Sequence, residues 1–239
     1  MSSTNNLHEI LFLDIETVPM EPEWAGLEQA WQVLWEEKSM FYREKNGVAL
    51  EESYERAGIY AEFGKIICIG LGYFQRTTEG DELRVSSFSG KNERELLTDF
   101  GAFLDRYTKR PFRLLCAHNG KEFDFPYLCR RMLINQLPLP TLLRISGKKP
   151  WEIPHIDTME LWKFGDYKHY TSLKLLAKVF GVPDSKDDID GSQVGRVFWK
   201  DGDLARIDQY CRKDVVTLAR VFQRLNGLDA VDQDNVVHA

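Results

Sequence analysis

The chain lacks the short motifs of several common enzyme chemistries. It has no G-x-x-x-x-G-K-[ST], no H-E-x-x-H and no G-x-S-x-G. P-loop phosphate chemistry, helix-borne zinc peptidase chemistry and nucleophile-elbow hydrolysis are therefore excluded at the motif level. It also has no C-x-x-C pair and only four cysteines, Cys68, Cys116, Cys129 and Cys211. Three of these lie in apolar runs, which reads as buried free thiols and suits a reducing cytoplasm, the expected location. No apolar run reaches 18 residues, so no membrane span is expected. Residues 1–8 are polar and lack an apolar signal core, so they are expected to be disordered rather than a signal peptide. Low-complexity stretches and fixed-period repeats are absent. An excess of positive charge is absent too. The net charge is −6, so the global field does little to attract nucleic acid. The basic clusters Lys109/Arg110/Arg113, Arg130/Arg131 and Arg144/Lys148/Lys149 read first as solvated surface.

What the chain does have is apolar residues, 43% of 239, enough for one sizeable core. Residues 9–226 read as one domain and 227–239 as a flexible tail. The run Ile10-Leu11-Phe12-Leu13 predicts a first strand, stopped by Pro19 and Pro22. Residues 23–62 predict a helical insertion, with Trp24, Leu27, Trp31, Leu34, Trp35 and Met40 near helical spacing and read as packing against the body. Strands follow at Lys65–Phe74 and Leu83–Phe88, joined by a turn near Gly80. Then come a helix over Asn92–Tyr107, a strand over Phe112–Ala117, and a helix with Pro126 in its first turn, ending near Asn135. Residues 136–154 read as a loop, His155–Thr158 as a short strand and Ser172–Phe180 as a helix ended by Gly181 and Pro183. Residues 184–200 read as mobile, with the acidic run Asp184–Asp190 and Asp157 structural or solvated. A last helix spans Leu204–Leu225. Strands mixed with helices around one core predict an α/β layered fold with a mixed sheet.

Three segments carry carboxylates in suggestive contexts. In Asp14-Ile15-Glu16, strand alternation puts Asp14 and Glu16 on one face. Like charges about 4 Å apart repel by roughly 4 kcal/mol at an effective dielectric near 20, and a divalent cation is a simple remedy. The competing reading is a solvated strand end. Asp124 lies before Pro126, at a helix start where a carboxylate is electrostatically favoured; simple capping is the competing reading, and Glu122 is a competing candidate. In the last helix, Leu204, Ile207, Cys211, Val215, Leu218, Phe222 and Leu225 form one apolar stripe. Tyr210 and Asp214, four residues apart, stack along the flank of that stripe and can face a cleft. A surface Tyr and Asp paired with neighbouring cations is the bland alternative.

Together these segments resemble the three exonuclease motifs of the DEDD exonuclease superfamily. D-x-E is met by Asp14 and Glu16, N-x-x-x-F-D by Asn119, Phe123 and Asp124, and Y-x-x-x-D by Tyr210 and Asp214. The histidine branch would need His at position 209, which is Gln209, so the tyrosine branch is indicated. Within it the chain looks like the stand-alone relatives of the family B DNA polymerase proofreading domain, over about residues 9–226. The resemblance implies a ribonuclease H-like three-layer fold with a mixed five-stranded sheet. It implies two Mg²⁺ or Mn²⁺ ions held by Asp14, Glu16, Asp124 and Asp214, and hydrolysis from the 3′ end of a single strand, DNA rather than RNA. Tyr210 would orient the attacking water, and Thr17, Asn119 and Phe123 would contact the terminal nucleotide. For Phe123, stacking on a base and packing in the core both remain open. The basic loop with Arg144, Lys148 and Lys149, and the stretch Lys163–Lys178, are candidates for tracking the phosphate backbone. Two rival readings are an RNA exonuclease of the same fold and a catalytically silent nucleic-acid-binding module.

Overall fold

A computed structural model describes residues 7–107, 113–166, 170–183 and 189–238. The chain runs β1 (Ile10–Pro19), α1 (Gln29–Asn46), α2 (Leu50–Ser53), a 3-10 segment at Tyr54–Ile59, β2 (Gly64–Arg76), β3 (Asp81–Ser89), α3 (Glu93–Tyr107), β4 (Leu114–Ala117) and α4 (Asp124–Ile134). It continues through β5 (Ile156–Asp157), α5 (Thr158–Lys163), α6 (Leu173–Val179), α7 (Val194–Arg196) with a π turn at Val197–Asp201, α8 (Leu204–Leu225) and β6 (Val236–His238).

The strands form one mixed sheet in the order β5-β4-β1-β2-β3-β6. β1 is antiparallel to β2 and parallel to β4. Period-two alternation along β1 sorts its side chains between two layers. Leu11, Leu13 and Ile15 pack with Leu97 and Phe100 of α3 and Leu128 of α4. Ile10 and Phe12 pack with Val215, Leu218 and Phe222 of α8. Asp14 and Glu16 continue the second row and so emerge beneath α8. The arrangement is an α/β fold, a mixed sheet with helices on both faces.

α8 approaches the sheet closely because β2 carries glycine where they meet. A Cβ on Gly70 would lie 2.9 Å from Cys211 Sγ, and one on Gly72 2.7 Å from Val215 Cγ1. On the other face, Glu93 and Arg131 form a buried ion pair, with Nη2 to Oε2 at 2.5 Å. Glu93 also accepts from the Ile66 N–H, and Arg131 donates to the Ala61 carbonyl. The pair thereby ties α3 and α4 to β2 and the segment before it. Arg131 is thus no surface cation, and its burial follows from that carboxylate partner.

Several expectations are corrected. Five strands are expected, and the sheet has six among the described residues. Val236–His238 pairs parallel with β3 from Leu83 to Val85, so the end of the expected flexible tail is ordered. Arg220 holds this segment through Val231 O and Gln233 Oε1. At the other end, Leu7–Glu9 form a 3-10 turn. The insertion packs less completely than its aromatic stripe suggests. Trp35 and Leu27 are buried with Tyr54 and Phe63, but Leu34 and Met40 are exposed. Residues 189–200 are not a loose loop, because Ile189, Val194, Val197 and Phe198 bury against Val18 and Ile67. Residues 1–6, Lys109, Arg110, the start of the expected strand at Phe112, and 184–188 lie outside the described residues, so the expectations made there do too.

Candidate active site

β1 outruns β4. Their pairing stops at Phe12 opposite Cys116, which leaves the β4-facing backbone of β1 open from Ile15 onward. Asp124, at the start of α4, fills that gap: its carboxylate accepts the Ile15 N–H and its own. Asp124 is therefore pinned beside Asp14 and Glu16, across the end of the sheet. The neighbouring loop is held in turn by Asp157. This buried carboxylate takes the Asn119 N–H at 2.9 Å, the Lys121 N–H at 3.1 Å and the Met159 N–H at 2.9 Å. Asn119 sits at φ 61, where Asn is among the few tolerated residues. Gly120 must be glycine, since a Cβ there would lie 2.4 Å from that of Ala117.

Asp14 and Glu16 lie within electrostatic reach of both Asp124 and Asp214. Asp14 and Glu16 are hydrogen-bonded to each other. Burial first, then the charges of Glu16, Asp214 and Asp124, holds the Asp14 carboxyl well above its ordinary pKa. Glu16, 7% exposed, is raised for the same reasons, with Asp214 its strongest charged neighbour. Burial pushes Asp124 up to about 7, against the two backbone donors that lower it. Like charges gathered in a buried place cannot all ionise without a compensating cation. The oxygen-rich donor set fits a hard divalent ion. Ligand atoms of Asp14, Glu16 and Cys211 lie within 4.8 Å of one another.

Tyr210 lies on α8 one turn before Asp214 and hydrogen-bonds it; burial, then Asp214, Glu16 and Asp14, raise its pKa far above the usual phenol value. Its hydroxyl stays protonated and donates. Cys211 is fully buried beneath the cluster, its Sγ 3.5 Å from both the carbonyl and Oδ2 of Asp14. With Cys68, opposite Glu16 on β2, it forms a soft apolar floor.

The expected substrate contacts are placed less uniformly. The β1–β2 register slips between Glu16 and Thr17, leaving Ile67 of β2 without an opposite residue on β1. Such a bulge re-aims side chains. Thr17 turns toward the Tyr127 hydroxyl, which donates to the Gly58 carbonyl at 2.7 Å. Thr17 is thereby joined to the insertion. Phe123 is partly buried, its ring centroid 5.3 Å from that of Tyr127, so it packs on the core while keeping some exposure. Asn119 Oδ1 is buried and has no partner among the described residues. Glu122, the competing candidate, is exposed and outside the cluster. Asp157, Cys211 and the Ile15 N–H were not singled out by motif. Only Cys211 had a sequence signal, its place in the α8 stripe.

No curated protein matches the sequence. In three dimensions the chain is similar to a family B DNA polymerase from the hyperthermophilic archaeon Pyrobaculum calidifontis, with a TM-score of 0.50 and 16% identity. The similarity covers 88% of this chain and spans only 24% of the polymerase, and at that identity it is a likeness of fold. Residues 59–237 match a family described as a predicted 3′-5′ exonuclease related to the exonuclease domain of PolB. The match takes in Asn119, Phe123, Asp124, Tyr210 and Asp214 and begins after Asp14 and Glu16. The chain belongs to this family of PolB-related predicted 3′-5′ exonucleases.

Proposed function

We propose that the protein is a metal-dependent 3′-5′ exonuclease, with residues 9–226 as its nuclease domain, that removes nucleotides from the 3′ end of single-stranded DNA. The observation that carries this reading is the convergence of Asp14, Glu16, Asp124 and Asp214, from three distant segments, within electrostatic reach of one another at the end of β1. Asp14, Glu16, Asp124 and Asp214 would hold two Mg²⁺ or Mn²⁺ ions, which supply Lewis-acid activation of a water and charge neutralisation at the leaving 3′ oxygen.

The chain's own residues do the positioning. Asp14 and Glu16 present oxygens from a rigid central strand. Asp124 closes the site from α4, fixed by the Ile15 N–H. Tyr210, held by Asp214 and kept protonated, orients the attacking water rather than abstracting its proton. Asn119, through its unpartnered Oδ1, and the exposed edge of Phe123 would receive the terminal nucleotide. Thr17 would contact the same nucleotide. A stacked base contributes roughly 1–3 kcal/mol in comparable single-strand binders.

The test uses purified protein with single strands labelled at either end, with MgCl₂ or EDTA. Stepwise, Mg²⁺-dependent shortening from the 3′ end, blocked by a 3′ cap, is expected. Binding without cleavage under every divalent ion would overturn the proposal in favour of a silent binding module. RNA strands in competition with DNA decide the sugar preference.

A further inference from the structure

Along α8, beside the core residue Val216, Ala205, Gln209, Arg212 and Arg220 line a cavity of about 620 Å³. Pro183 walls one side, and Gln233 and His238 of the C-terminal segment wall the other. This volume suits a small polar ligand or a nucleotide-sized segment of a larger one. Lys213 also lines it, and no carboxylate does among the described residues, although the chain as a whole carries −6.

Arg220 is the informative residue. It is 4% exposed. Its Nε donates to the Val231 carbonyl and its Nη2 to Gln233 Oε1, both at 3.0 Å. These acceptors are neutral. No ion pair involves Arg220 among the described residues, and Asp232 acts on it only at longer range. A guanidinium this buried, held by neutral acceptors and a more distant carboxylate, can take a further anionic partner at short range. Arg212 pairs with Asp208 through Nη2 at 2.6 Å, but its Nε is buried without a partner. The cavity thus gathers Arg212, Lys213 and Arg220 on one wall, with no carboxylate in its lining among the described residues.

We infer that this cavity is a phosphate-binding site for nucleoside phosphates, and that it holds a phosphate of the nucleic acid whose 3′ end lies at the acidic cluster. The inference rests on the proposed function for its choice of ligand. Lys213 and Asp214 are sequence neighbours on α8, so one rigid helix would carry both the cleavage site and the anchor. Guanidinium groups suit phosphate oxygens, which accept in the same planar geometry.

The experiment measures binding of a fluorescein-labelled twelve-nucleotide oligothymidylate to the full chain by anisotropy, in EDTA, across a salt series. Two charge changes are used. Lys213→Glu acts directly. Ala205→Glu places a carboxylate in the cavity from an exposed position in the first helical turn, where it is electrostatically tolerated. Each variant should keep its melting temperature, bind about five- to tenfold more weakly and lose about one unit of salt slope. Displacement of the oligonucleotide by excess dTMP would assign the site to a terminal monophosphate, and its absence to an internal phosphodiester. Wild-type affinity and salt slope in both variants would overturn the inference. The readout needs no metal and no cleavage, so it stands or falls separately from the nuclease assay.

Discussion

Replacing Gly70 by alanine should uncouple catalysis from folding. The added Cβ would lie 2.9 Å from Cys211 Sγ, 2.9 Å from Val215 Cγ2 and 3.1 Å from the Cys211 carbonyl oxygen. Non-bonded carbon contacts settle at about 3.5–4 Å, so α8 must retreat from β2 by roughly 0.6–1 Å. Part of the obstacle is backbone, so a rotamer change cannot relieve it. Overpacking of this kind costs about 1–3 kcal/mol, which for a chain of this size lowers Tm by roughly 2–12 °C. The retreat occurs at Cys211, between Tyr210 and Asp214, while Asp14 and Glu16 stay with β1. A displacement of about 1 Å between reacting groups can cost about 10²-fold in rate. Hydrolysis of a 3′-labelled single strand should therefore fall about a hundredfold at a temperature where circular dichroism shows the variant fully folded. Wild-type turnover with the same or a lower Tm would refute the reasoning, since the position of α8 would then not matter to the chemistry.

The other expectations follow from the same geometry. Gly72→Ala meets mainly the Val215 side chain, so adding Val215→Ala should restore its thermal stability; no rescue would mean that the contact is not the cause. Tyr210→Phe should slow hydrolysis by about 10- to 100-fold through loss of water orientation, with metal affinity by calorimetry unchanged; full activity would remove Tyr210 from the mechanism. Asp14, Glu16 and Asp124 hold their protons above the ordinary carboxylate range in the fold. The stability this lends is complete below about pH 4 and lost as pH rises through the folded values, about 7 for Asp124. The Tm gain from MgCl₂ over EDTA should therefore grow from pH 5 to pH 8, whereas the neutral His155, lowered to about 4 by burial, affects both arms equally. An equal gain at every pH would contradict this. Asp157→Ala strands three backbone N–H groups and should cost at least about 2 kcal/mol in chemical denaturation; a neutral effect would exclude Asp157 as the clamp of the Asn119 loop.

The parts of the fold legible in the sequence are those governed by periodicity. Alternation along β1 put Asp14 and Glu16 on one face, and the α8 stripe placed Tyr210 and Asp214 at its edge, because each pattern is local and strong. Asp124 could be placed at a helix start, but its hydrogen bond to Ile15 depends on β1 outrunning β4, a long-range fact. The slip opposite Thr17 was invisible because a bulge leaves no composition signal in so apolar a strand. β6 is not legible in the sequence because three residues in a polar tail carry too short a pattern, and their order comes from β3 and Arg220. The insertion was expected to bury its stripe, yet its exposed Leu34 and Met40 answer to contacts that periodicity does not encode.

The central claim is tested most directly by the strand assay on the wild type and Asp14→Ala side by side. The account predicts Mg²⁺-dependent loss of nucleotides from the 3′ end in the wild type and none in a variant with an intact melting transition. Cleavage by Asp14→Ala at the wild-type rate, or wild-type cleavage undiminished in EDTA, would contradict it.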